Sequence, residues 1–162
     1  MTATTTANLY DTLAERGLVF QATHDDIRDR LTTPTTGYCG FDPTADSLHV
    51  GHLIPIMALA HLQRCGHRPI VVIGGATAMI GDPSGKTEAR QMLSREQIDA
   101  NGAAMAKQMA QLIRFDDSDT GAVMLNNADW LGEKRWIELL REVAEHLRSG
   151  GEDIPVIADG GA

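Results

Sequence analysis

Residues 37–53, GYCGFDPTADSLHVGHL, constrain this chain more than any other stretch, because they must pass from a strand through a tight turn into a helix. Tyr38, Cys39 and Phe41 are strand-type residues beside Gly37 and Gly40. Asp42-Pro43-Thr44 is turn chemistry, since proline fixes φ and aspartate bonds its own backbone. From Gly51 the apolar residues Leu53, Ile54, Ile56, Met57, Leu59, Ala60 and Leu62 follow the spacing of a well-buried helix, predicted over 51–65 and ended by Gly66. His49 and His52 therefore sit at or just before a helix N-terminus, where unpaired N–H groups and the helix dipole favour an anion. Gly51 between them allows a ligand close to the backbone. The chemistry predicted here is phosphate handling.

Two plainer readings compete. His49 and His52 could ligate a metal, but zinc needs further ligands of matching type, and Cys39 and Cys65 are not spaced to supply them. The ligand count therefore points to no metal at this site. They could also be ordinary loop histidines.

The run 68–75, RPIVVIGG, is β-branched and continuous, as a strand buried on both faces of a parallel sheet would be. Strand, helix, strand is a βαβ unit, half of a nucleotide-binding fold. The next stretch, GGATAMIGDPSGK, reads as a glycine-rich loop carrying Asp82, Lys86 and Arg90. It is not a Walker loop, because the first glycine of that pattern would fall at Ile80.

Elsewhere, 8–17 reads as a short amphipathic helix with Asn8 as N-cap and Gly17 as stop. Residues 94–115 open on a capping box, SREQ, and carry Ile98, Met105, Met109, Leu112 and Ile113 at helical spacing, with the methionines as core filler. Residues 122–125 read as a third strand, followed by NNADW, and 133–147 as an amphipathic helix with Ile137, Leu140, Ala144 and Leu147 on one side. The tail SGGEDIPVIADGGA breaks that helix, and 154–158 reads as a fourth strand or a foreign tail.

A chain of 162 residues with 43% hydrophobic content can bury a proper core. Its formal net charge of −8 argues against general electrostatic binding of nucleic acid. Cys39 and Cys65 offer no disulfide framework, and the polar start MTATTTA lacks an apolar signal segment, so a reducing cytoplasm is the expected compartment. No run is long enough to cross a membrane.

The stretch YCGFDPTADSLHVGHL resembles the first sequence block of the tyrosyl-tRNA synthetases, including the His-x-Gly-His element of class I synthetases. GGATAMIGDPSGK and NNADWL resemble the next two blocks, in the same order. The similarity runs from about Asn8 to Leu147. It implies an α/β fold: a partial Rossmann-like parallel sheet of the class I synthetase type (HUP-type), with helices on both faces. It divides the chain into an N-terminal helical segment (1–33), the first half of a nucleotide-binding catalytic domain (34–149) and a divergent tail (150–162). The tail string IPVIADGG is closer to a strand and glycine loop of the IMP dehydrogenase barrel.

The resemblance implies activation of tyrosine by ATP, with Mg2+ accompanying the nucleotide, and transfer to tRNA(Tyr). Carried over by motif position, His49 and Thr44 contact the terminal phosphate of ATP, and Cys39 and His52 the adenylate ribose. Gly40 and Gly51 admit the nucleotide closely, and Asp42 lies near the adenylate and the amino-acid ammonium. Tyr38 bonds the substrate phenol, Thr77 and Asp82 the ammonium side, and Asn127 supports the tyrosine pocket. Lys86 and Arg90 neutralise the leaving pyrophosphate. Three family features have no counterpart in these residues: the helix that brings a Gln and an Asp to the tyrosine pocket, the K-M-S-K-S-type loop, and the anticodon-binding region. The expectation is therefore impaired activation, or alternatively a non-catalytic ATP- or adenylate-binding fragment or scaffold. Family members are homodimers whose interface lies near or beyond the point of divergence, which leaves the association of this chain open.

Overall fold

A computed structural model describes residues 7–80, 93–135, 137–138, 140–141 and 157–158. In chain order the elements are α1 (Leu9–Glu15), β1 (Gln21–Ala22), α2 (Ile27–Arg30), β2 (Thr36–Phe41), a 3-10 turn (Val50–His52), α3 (Leu53–Arg64), β3 (Arg68–Ile73), α4 (Gly75–Ile80), α5 (Arg95–Met109), β4 (Val123–Asn126), α6 (Ala128–Leu131) and β5 (Ile157–Ala158). β2, β3 and β4 form a parallel sheet in that order. Their register aligns Tyr38 with Ile70 and Val123, and Phe41 with Ile73 and Asn126.

Strand alternation sorts the sheet into two faces. Phe41, Val71 and Ile73 pack with Ile56, Leu59 and Ala60 of α3 and with Met105 and Met109 of α5. Cys39 and Met124 border the same core. The methionines are filler, as the helical spacing predicts, at 1% and 0% exposure. Truncating a fully buried residue such as Ile56 would cost about 2–5 kcal/mol. A second cluster joins Leu9 and Leu13 of α1, Ile27 and Leu31 near α2, and Leu62 of α3.

Local signals set the ends of these helices. Asn8 Oδ1 accepts the N–H groups of Tyr10 and Asp11, capping α1. Gly17 and Gly66 adopt φ of +66° and +88°, the left-handed geometry that closes α1 and α3. In each case the next residue's N–H reaches back to a carbonyl of the last turn, Leu18 to Leu13 at 2.9 Å and His67 to Leu62 at 3.1 Å. Ser94 and Gln97 form the capping box that starts α5.

The structure corrects several boundaries. The helix expected over 51–65 starts as a 3-10 turn, and its α-helical part begins at Leu53. The third strand lies one residue later than expected. Residues 75–80, read as loop, are helical. Their start is held by the side chain of Asn127, which follows the next parallel strand, and local sequence does not show that link. Of the helix expected over 133–147, residues 137–138 and 140–141 are helical, and Ile137 and Leu140 are exposed rather than packed. Ala144 and Leu147 lie outside the described residues. In the tail, Ile157–Ala158 is a strand, but it pairs antiparallel with Gln21–Ala22 and does not extend the parallel sheet. No helix among the described residues is long and apolar enough to cross a membrane.

Candidate functional site

All three parallel strands end at the same edge, and the residues that follow them bond to one another. After β2, Asp42 Oδ1 accepts the Thr77 hydroxyl at 2.9 Å. Thr77 stands on α4, just beyond β3, and its hydroxyl also lies 3.1 Å from the Gly74 carbonyl. After β4, the amide of Asn127 reaches two points of α4: Nδ2 lies 3.4 Å from Thr77 Oγ1, and Oδ1 accepts the Ala76 N–H at 2.7 Å. Asn127 is buried, so this bond fixes the start of α4 in a setting where a lost partner is costly. Gly74 leaves the room for this network, since a Cβ there would collide with Asp42 Oδ1 and Thr77 Oγ1. Gly75 does the same for Asn126, whose Oδ1 accepts the Ala128 N–H at 3.0 Å and starts α6.

The second group is the histidine turn. His49 Nδ1 accepts the Gly51 N–H at 3.1 Å, and the His49 N–H is donated to His52 Nδ1 at 3.2 Å. This is a capping box made of two imidazoles. With both Nδ1 atoms accepting, the proton of each neutral ring sits on Nε2, on the ring edge away from that backbone. The rings stack, 3.7 Å between centroids and 22° apart. His52 also meets Phe41 edge-on, at 6.0 Å. Burial, and secondarily the neighbouring His49, hold His52 below the ordinary histidine pKa of 6.5, which keeps it a neutral donor. Gly51 clears space for the His49 ring: a Cβ would lie 3.0 Å from Cε1 and Nδ1.

The remaining predicted residues divide as follows. Tyr38 and Gly40 share the sheet face opposite the core, and Tyr38 is 63% exposed. A Cβ on Gly40 would meet nothing within 4 Å, so the backbone there is open to a ligand. Cys39 is half-buried against the core, with Sγ 3.7 Å from the Gly40 carbonyl. Thr44 is exposed, and its N–H bonds the Asp42 carbonyl at 2.9 Å. Asp82, Lys86 and Arg90 lie outside the described residues. A groove of ≈ 380 Å³ runs beside His49, between Val50 and Leu53 on one side and, on the other, Gln108 of α5 and Leu112 just beyond that helix.

Residues 30–150 match the family described as tRNA synthetases class I (W and Y). The chain belongs to this family. It is 51% identical over 143 residues to a tyrosine–tRNA ligase of Clostridium kluyveri and, over 141 residues, to one of Syntrophus aciditrophicus. These alignments cover 87% and 86% of this chain but 35% and 32% of those proteins, so the chain spans about a third of their length. Its fold matches a C-terminally truncated mitochondrial tyrosyl-tRNA synthetase of Aspergillus nidulans with a TM-score of 0.67 and 27% identity, over 91% of this chain and 49% of that one. A tyrosyl-tRNA synthetase of Archaeoglobus fulgidus complexed with L-tyrosine shares the fold, at a TM-score of 0.57 and 20% identity, over 86% of this chain and 40% of that one.

In this class I synthetase chain the strand-end network and the histidine turn offer complementary chemistry. Asp42 supplies a carboxylate braced by Thr77, and the imidazoles, with Nδ1 accepting from the backbone, present their Nε2 edges at the start of a helix. Donors preset in this way cost no reorganisation when charge develops on a phosphate. Sequence reasoning passed over two residues of α5. Asn101 Nδ2 donates to the Pro43 carbonyl at 2.9 Å, and Gln108 bonds the backbone of Asp46 and Leu48. The available signal was a pair of amides seven residues apart, about two helical turns, on a helix read for its capping box and its apolar face.

Proposed function

We propose that this chain carries the ATP- and tyrosine-facing part of a tyrosine–tRNA ligase site. In the first half-reaction a tyrosine carboxylate oxygen bonds the α-phosphorus of ATP. The bond from that phosphorus to the α,β-bridging oxygen breaks, and pyrophosphate leaves. A terminal ribose hydroxyl of tRNA(Tyr) then takes the aminoacyl group and AMP is released. No protein nucleophile is needed, so the protein contributes positioning and stabilisation of phosphate charge.

The observation that carries this reading is the imidazole capping pair beside the carboxyl ends of parallel strands, where nucleotides bind in open α/β sheets. In the proposed roles, Nε2–H of His49 and the Thr44 hydroxyl bond the terminal phosphate of ATP, and His52 and Cys39 bond the ribose. Gly40 and Gly51 admit the nucleotide against the backbone. Asp42, with Thr77 and Asp82, faces the substrate ammonium and the adenylate, Tyr38 the phenol, and Asn127 holds Thr77 and α4 beneath them. Lys86 and Arg90 balance the charge of the departing pyrophosphate. Mg2+ would arrive on the phosphates of ATP, as it does where few protein ligands hold it.

The test is tyrosine-dependent ATP–pyrophosphate exchange on the purified chain, together with calorimetric ATP binding. Exchange or saturable binding that is weakened in both His49→Ala and Asp82→Ala supports the proposal; affinity unchanged in both variants would sink it. The same measurements separate this proposal from a second reading, nucleotide binding without turnover. ATP binding with no exchange would select it.

A further inference from the structure

We infer that Asn101 and Gln108 are positioning residues for the nucleotide site, holding the 43–49 loop on α5 so that Thr44 and His49 are presented in fixed places. The loop, PTADSLH, is polar and mostly exposed, and its own turn chemistry ends at Thr44. Helix α5 is the opposite, anchored in the core by Ile98, Met105 and Met109, each at most 1% exposed. The two amides carry that rigidity across. Asn101 Nδ2 donates to the Pro43 carbonyl at 2.9 Å, just ahead of Thr44. Gln108 Nε2 donates to the Asp46 carbonyl at 3.2 Å, and its Oε1 accepts the Leu48 N–H at 3.1 Å, just ahead of His49. Gln108 also bonds its own helix at the Ala104 carbonyl, 3.4 Å away, which fixes its amide plane. One amide thus satisfies a donor and an acceptor of the loop at once. Neither a carboxylate nor an amine does both, because each presents only one polarity.

The consequence for ligand binding is indirect. Gln108 does not need to touch ATP; it acts through the backbone that carries His49. Loss of such a residue frees a loop that binding must then order again, so affinity falls without loss of a ligand contact. This inference rests on the nucleotide reading of the site, but its first test does not.

That test is amide hydrogen exchange on the ligand-free chain. In Gln108→Ala the amides of Leu48 and His49 should exchange about fivefold faster or more, while Leu59 and Leu62 in α3 keep their rates. Gln108→Glu retains an acceptor for the Leu48 N–H but sets an oxygen against the Asp46 and Ala104 carbonyls, so its protection should fall between that of the wild type and Gln108→Ala. Unchanged Leu48 exchange, or equal acceleration throughout α3, overturns the inference. The second test is a double-mutant cycle on ATP affinity. Gln108→Ala should weaken binding about fivefold with His49 present, and less than about twofold in His49→Ala. Equal losses in both backgrounds, with a matching fall in Tm, would make the role merely structural. A wild-type chain that binds no ATP removes the nucleotide reading instead, and the exchange comparison then decides whether α5 holds the loop.

Discussion

The imidazoles of His49 and His52 stack at 3.7 Å while each Nδ1 accepts a backbone N–H of their shared turn. Each ring therefore shapes the turn through Nδ1 and, in the proposed site, presents Nε2–H as well. His49→Ala removes both. ATP affinity should fall about tenfold to a hundredfold, the value of a hydrogen bond to a charged group. His49→Asn restores an acceptor for the Gly51 N–H, so it should recover the turn better than the affinity. Calorimetric titration beside thermal melts separates the two effects.

Gly51 and Gly40 predict opposite behaviour under the same substitution. Gly51→Ala places a methyl 3.0 Å from the His49 ring, which must shift. Affinity should drop about tenfold, and stability by less than about 1 kcal/mol because His49 is exposed. Gly40→Ala meets open space in the free chain and should leave Tm unchanged. Any loss of ATP affinity in Gly40→Ala then reports a ligand lying against β2. Full affinity there would contradict the close approach proposed for Gly40.

Burial, as the leading cause, depresses the pKa of His52, His61 and His67 below 6.5 in the fold. Unfolding restores the ordinary value, so below it the unfolded state binds more protons than the folded one. Stability should be level above about pH 7 and decline as pH falls through about 6.5 toward 5. The carboxylates Asp11 and Asp26 act lower down: their pKa values are held below 3.8, chiefly by hydrogen bonds from Arg28 and Arg30, and their small exposed contributions vanish below that value. His67 has a clear structural link, since its Nδ1 accepts the Thr35 N–H at 3.2 Å ahead of β2. Urea denaturation across this range, with His67→Asn for comparison, checks the slope. The variant, whose amide oxygen can replace Nδ1, should flatten it.

Asn127 and Thr77 should separate stability from binding. Asn127→Ala leaves the Ala76 N–H without its partner at the start of α4 and should cost about 1–3 kcal/mol, read as a lowered urea midpoint. Thr77→Val keeps the shape but loses the bond to Asp42. It should cost about 1 kcal/mol or less in stability, with a larger proportional loss in tyrosine-dependent exchange. Equal proportional effects in the two variants would argue that Thr77 serves the fold alone.

What the sequence made legible follows from local physics. The βαβ unit was readable because apolar periodicity, Gly66 and the β-branched 68–73 run all agree. The histidine turn was readable as the start of a helix, but its imidazole cap was not, because capping rules look for hydroxyls, amides and carboxylates and not for imidazoles. Helix α4 was misread as loop because Gly-Gly-Ala-Thr carries no apolar stripe. What orders its start is Asn127, 51 positions away in sequence. The same distance effect hid Gln108, which reaches back 60 and 62 positions to Leu48 and Asp46. Long-range side chain to backbone bonds do not show in the apolar pattern.

Tyr38 carries the last prediction. At 63% exposure it stands on the open face of β2, four residues before Asp42. A site that rejects phenylalanine by about 10⁴–10⁵ does so by burying polar groups that go unpaired without the phenol hydroxyl. An exposed Tyr38 can turn to water when the hydroxyl is missing, so little is lost. Tyrosine should therefore be preferred over phenylalanine by far less than that range, whether measured by pyrophosphate exchange or, in the absence of turnover, by competition for ligand binding. Tyr38→Phe should change the ratio by less than about tenfold. Strong discrimination that collapses in this variant would mean that the phenol site closes over Tyr38 when ligand binds.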